Sequence, residues 1–165
     1  MQQIIKFIIP GKPQGKARPR FRTLIYNKEK TSEYEKLGKS QSKNKPKIHV
    51  LTYNTSQTVE YEKLVKLSAI EQCKDNLDKE YNDDVKVTIR AYFKPNKSIS
   101  KKKYNSLIGK KFLNKPDVDN IAKIICDSLN GIAYKDDKQI STLKVEKYYD
   151  NEERVEVEIE YGNSD

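Results

Sequence analysis

The sequence predicts an α+β fold, a small mixed or antiparallel sheet with two main helices, built as a single domain over residues 1–165. Three observations predict it. Side chains alternate in character with a period of two in four segments, the period of a strand. Two further stretches place apolar residues at helical spacing. The segments run strand, helix, strand, helix, strand, strand, with no internal repeat.

Each element has its own warrant. Ile5, Phe7 and Ile9 alternate with Ile4, Lys6 and Ile8, and Pro10-Gly11 closes this mostly buried strand. In the following GKPQGKARPRFR, Pro13 and Pro19 disfavour helix, which leaves an extended basic loop or edge strand. An extended chain puts Arg18, Arg20 and Arg22 on one side, where guanidiniums match phosphates spaced along a backbone. Lys16, Arg18, Arg20 and Arg22 are therefore the candidate nucleic-acid contacts. Residues 27–47 are polar and lysine-rich, too poor in apolar surface to offset their ordering entropy, and are expected to form a mobile insertion.

HVLTYNT resumes an extended pattern before Ser56 or Thr58 caps a helix that runs to about Asp75. Tyr61, Leu64, Val65, Ser68 and Ala69 line one face of it. Val85, Val87, Ile89, Ala91 and Phe93 alternate as an amphipathic strand that Pro95 ends, and a second basic tract follows from Lys97 to Lys111. Leu143, Val145, Lys147 and Tyr149 read as a strand, Asp150-Asn151 as a turn, and Val155, Val157, Ile159 and Tyr161 as a second strand. This pair is expected to form a terminal β-hairpin with one solvent face.

Composition narrows the function. Lys and Arg number 33 against 24 Asp and Glu, a formal net charge of +9, which favours a polyanionic partner. No run approaches the roughly 18 apolar residues of a membrane span, and the apolar start is too short for a signal peptide, so a cytoplasmic protein without a membrane partner is expected. With two cysteines and one histidine, a structural zinc site is nearly excluded, and Cys73 and Cys126 are expected as buried free thiols. Any metal should be a hard, oxygen-liganded ion such as magnesium or manganese.

Residues 115–140, KPDVDNIAKIICDSLNGIAYKDDKQI, stand out in so basic a chain. Ile121, Ile124, Ile125 and Leu129 form the core face of a helix beginning near Asp119 and stopped by Gly131, with Lys123 one turn from both Asp119 and Asp127. Asp117 and Asp119 can aim at one point if the backbone there is extended, and the chain can return Asp136-Asp137 beside them. Three or four converging carboxylates would make an octahedral oxygen site, with Lys123 holding the scissile phosphate or the leaving oxygen. The plainer alternative is that Asp119 only caps the helix and Asp136-Asp137 only makes a turn.

The pattern K-P-D-x-D-N, a lysine four residues after the second aspartate, then D-x-L-N-G and Y-K-D-D, resembles the signature of the RusA family of Holliday junction resolvases, found in phages and prophages. The opening IPGKPQGKARPRF is similar to that family's first strand and basic loop. The resemblance implies a homodimeric endonuclease acting on four-way DNA junctions with magnesium or manganese. It implies Asp117, Asp119 and Asp137 as catalytic metal ligands and Lys123 as the essential lysine, with Asp136 a rival for Asp137. The 27–47 segment is longer than the family's loop. The competing readings are a non-catalytic DNA-binding or architectural module and a metal-dependent nuclease of forks, flaps or single strands.

Overall fold

The computed structural model describes residues 3–26, 47–77 and 84–162, and the lysine-rich insertion lies outside them except for Lys47. The chain forms two units, one of residues 1–17 with 56–165 and a second of residues 18–55.

The larger unit is a four-stranded mixed sheet with helices on its apolar face. Its elements are β1 (Gln3–Pro10), α1 (Ser56–Cys73), β4 (Val85–Phe93), α2 (Lys101–Leu107), α3 (Val118–Leu129), β5 (Ile140–Tyr149) and β6 (Arg154–Tyr161). The smaller unit is a ribbon of β2 (Arg20–Tyr26) paired antiparallel with β3 (Lys47–Tyr53). The mixed α+β class holds; the additions are this ribbon and the short helix α2, whose first turn is capped by Ser100 accepting from the Lys103 N–H.

Strand order in the sheet is β1-β6-β4-β5. Strand β6 is antiparallel to both β1 and β4, whereas β5 runs parallel to β4. The expected terminal hairpin is therefore not formed: β5 and β6 flank β4 on opposite sides. Burial explains the arrangement. Val155, Val157, Ile159 and Tyr161 are at most 2% exposed and suit a central strand, while β5 has no buried residue and carries Lys144, Glu146 and Lys147, which suit an edge. Alternation identified both strands but carries no information about which neighbour each one takes.

One face of the sheet is the core. Ile5, Phe7 and Ile9 of β1 sit in register with Ile159, Val157 and Val155, and these oppose Val87, Ile89 and Ala91 of β4. Tyr61, Val65 and Ala69 of α1 and Ile121, Ile124, Ile125 and Leu129 of α3 close over it, as the helical spacing predicts. Burying each of the large aliphatic side chains contributes about 1.5–3 kcal/mol. Cys73 and Cys126 are buried free thiols, as expected. The opposite face is a ladder of charge running Lys6, Glu158, Arg90, Glu146 and Lys111 across the strands.

The outer edge of β1 is covered at Ile8. The Gln72 side chain of α1 accepts from the Ile8 N–H at 2.8 Å and donates to the Ile8 carbonyl at 2.7 Å, replacing a missing strand partner. Among the described residues no helix is long and apolar enough to cross a membrane.

Candidate active site

The acid-bearing helix is set by what precedes it. Residues 114–116 form a turn whose carbonyls at Asn114 and Pro116 both accept from the Lys147 ammonium of β5, at 2.7 and 2.8 Å. The Lys115–Pro116 peptide in this turn is cis. Asp117 follows in extended backbone as the N-cap, so the helix starts one residue earlier than expected. Its carbonyl accepts the Ile121 N–H at 3.1 Å, but its side chain makes no capping hydrogen bond. The carboxylate of Asp117 thus takes no part in capping the helix.

Along α3 the amphipathic pattern does the sorting. Ile121, Ile124, Ile125 and Leu129 are fully buried, which turns Asp119 and Lys123 outward and leaves Asp127 half-buried. Gly131, at φ +72°, supplies the left-handed residue that stops the helix. The chain then folds back under two buried hydroxyls. Tyr134 donates to the Cys126 carbonyl at 2.9 Å and Tyr161 donates to the Ala133 carbonyl at 2.7 Å. Tyr134 is 3% exposed and packs in the core. These bonds fix where the paired aspartates emerge.

The two members of that pair have different tasks. Asp136 caps the short turn Asp137–Gln139, accepting from the Lys138 N–H at 3.0 Å, while the Gln139 side chain accepts from the Lys135 and Asp136 N–H groups. The backbone hydrogen bond from Lys138 holds the Asp136 carboxyl below the usual range. Asp137, by contrast, lines an open cleft of about 470 Å³ together with Asp119, Lys123 and Asp127. Ala122, Cys126, Ile140 and Leu143 supply its apolar lining. Asp117 is not among the lining residues.

Of the four residues expected to do chemistry, Asp119, Lys123 and Asp137 share this one cleft, although Asp119 and Asp137 are 18 residues apart in the chain. Among the described residues no three acids, histidines or cysteines are gathered as a metal-binding group. The donor chemistry is nonetheless that of a hard cation, since every ligating group facing the cleft except the Cys126 thiol is a carboxylate. Burial pushes that thiol up to about 11, which keeps it protonated and a poor ligand.

Lys16 and the arginines have separate environments. Arg18, Arg20 and Arg22 are exposed, and Arg20 and Arg22 lie two apart on β2 and so share a face of the ribbon. The Lys16 ammonium instead donates to Asp127 and pairs with Glu62 of α1 at 3.2 Å, with its side chain 19% exposed. Sequence reasoning missed this pairing, as it missed Lys147, because both join residues far apart in the chain.

Two comparisons bear on the site. The family described as Endodeoxyribonuclease RusA matches residues 37–160. The "Uncharacterized protein YqaN" of Bacillus subtilis (strain 168) is 43% identical over 79 residues, 46% of this chain and 56% of that protein, so the match spans little more than half of the relative's length. The family match runs through the D-x-D pair, Lys123 and the paired aspartates, of which the fold brings Asp119, Lys123 and Asp137 to one cleft, and the chain belongs to the RusA endodeoxyribonuclease family.

Proposed function

We propose that this protein is a divalent-metal-dependent endonuclease that resolves four-way DNA junctions by paired, symmetric phosphodiester cleavage in recombination and repair. It works in the cytoplasm as a homodimer. The observation that carries the reading is the meeting of Asp119, Lys123 and Asp137 on one cleft of a chain with net charge +9. A basic surface recruits the polyanion, and an acidic cleft gives it somewhere to be cut.

Asp119 and Asp137, which line the cleft, together with Asp117, which precedes the helix outside that lining, are the residues that would hold magnesium or manganese. When bound, the ion lowers the pKa of a water and neutralises charge at the phosphorus. The protein's own contribution is positional. The exposed Asp119 and Asp137 carboxylates orient the attacking water. The Lys123 ammonium, one helical turn from Asp119, stabilises the scissile phosphate or the departing oxygen. Arg18, Arg20 and Arg22 grip phosphates without reading sequence. A twofold dimer presents two clefts to a junction that is itself twofold symmetric.

The test compares a synthetic four-way junction, a fork and a duplex of equal length, each with and without magnesium. Metal-dependent cutting confined to the junction is expected, in symmetric pairs. Cutting of the fork alone would make the protein a flap or fork nuclease, and junction binding with no cutting with or without magnesium would leave a DNA-binding module. Asp119→Asn and Asp137→Asn should each bind the junction and lose at least about 100-fold in rate.

A further inference from the structure

The residues before the ribbon are fastened to α3 at two places. The Lys16 N–H donates to the Asn120 carbonyl at 2.9 Å, near the start of the helix. The Lys16 ammonium reaches Asp127, two turns further along, and Glu62 on α1. Gly15 lies flush against the helix start, where an added Cβ would come within 2.9 Å of the Cβ atoms of Asn120 and Pro116. Lys16 is therefore held at a fixed place with its charge shared by two carboxylates.

Asp127 is the only cleft acid so engaged among the described residues. It sits one turn beyond Lys123, and i,i+4 residues on a helix are neighbours that pair when their charges are opposite. Lys123 nevertheless makes no ion pair among the described residues, while Asp127 is taken up by Lys16. A carboxylate only 28% exposed is not left without a counter-charge at small cost, so removing Lys16 would drive it toward the nearest remaining ammonium.

We propose that Lys16 is a positioning residue of the cleft: it holds the Asp127 carboxylate and so keeps the Lys123 ammonium unpaired and open to a backbone phosphate. The phosphate step rests on the nuclease reading; the release of Lys123 from Asp127 rests on the ion pairs alone. Lys16 touches no DNA in this scheme and acts through Asp127. Burial lowers the Lys16 pKa, but the hydrogen bonds to Asp127 and Glu62 outweigh that and raise it, so the charge persists at neutral pH.

The experiment compares the wild type with Lys16→Met, Asp127→Asn, the double variant and Lys16→Arg. One arm needs neither metal nor DNA: the rate of Lys123 acetylation by an N-hydroxysuccinimide ester, followed by peptide mass spectrometry. Lys16→Met should label at Lys123 about two- to threefold more slowly, and the double variant should regain the faster rate. The other arm is single-turnover cleavage of the junction. Lys16→Met should lose about tenfold in rate with junction affinity unchanged, Lys16→Arg should stay near wild type, and the double variant should match Asp127→Asn.

Equal labelling in the wild type and Lys16→Met overturns the proposal. So does a double variant no faster than Lys16→Met, or a loss that appears in affinity instead of rate, which would make Lys16 a phosphate contact. A wild type that cuts nothing defeats the nuclease reading while the labelling arm still decides the linkage. If Lys16→Met does not melt cooperatively, Lys16→Gln carries both arms.

Discussion

At the scale of single residues, two titrations follow from the surroundings of named groups. Glu146 accepts from Lys111 and Tyr148 and pairs with Lys144, and the hydrogen bond from Lys111, followed by those from Tyr148 and Lys144, brings its carboxyl from the ordinary 4.5 to about 2. The folded pKa is depressed, so whatever stability Glu146 adds is complete above pH 4.5 and is lost as pH falls toward 2. Carboxyl NMR should find its midpoint near the lower value, and Glu146→Gln should flatten that part of the acid limb. Cys126 has the opposite sign. Burial lifts its thiol from 9 to about 11, so its contribution is complete below pH 9 and fades as pH rises to 11. Native Cys126 should resist maleimide at pH 8, where the unfolded chain labels quickly. What the sequence could not separate at this scale was Asp136 from Asp137. Both sit in one polar turn, and their tasks diverge only because Gln139 folds back to complete the cap around Asp136.

At the scale of elements, periodicity was a sound guide to what each segment becomes. The faces of α1 and α3 lie where the spacing of Tyr61, Val65 and Ala69 and of Ile121, Ile125 and Leu129 puts them. It was silent about partners: a two-residue turn signal at Asp150-Asn151 suggested a hairpin, while the burial of Val155, Val157 and Ile159 placed β6 in the middle of the sheet. Two predictions test how elements are joined. Gly15→Ala forces a methyl against Asn120 and Pro116 and should cost about 1–3 kcal/mol by denaturant melting, because the crowding atoms are anchored on a helix and a proline. Gln72→Ala uncovers β1 at Ile8 and should cost about 1 kcal/mol while raising the tendency to aggregate, as read by light scattering.

At the scale of the whole molecule, the proposed function makes charge the determinant of how DNA is approached. Neutralising Arg18, Arg20 or Arg22 should weaken junction binding uniformly across sequences and reduce the log–log salt slope by about 1 for each phosphate left without its arginine. Sedimentation with and without junction DNA should return a dimer. Net charge and the acidic motif were legible from the chain, because both are local or additive. The cleft itself was legible only in outline, since its walls come from a helix and a turn brought together by long-range strand pairing. That pairing has a further consequence. Strand β6 lies between β1 and β4, so a nascent chain translated only as far as β5 cannot yet join its first strand to the sheet on which the acidic helix rests. Contacts between residues so distant in the chain form slowly and late. On a ribosome, the sheet that backs the acidic helix therefore stays incomplete until translation has passed the central strand.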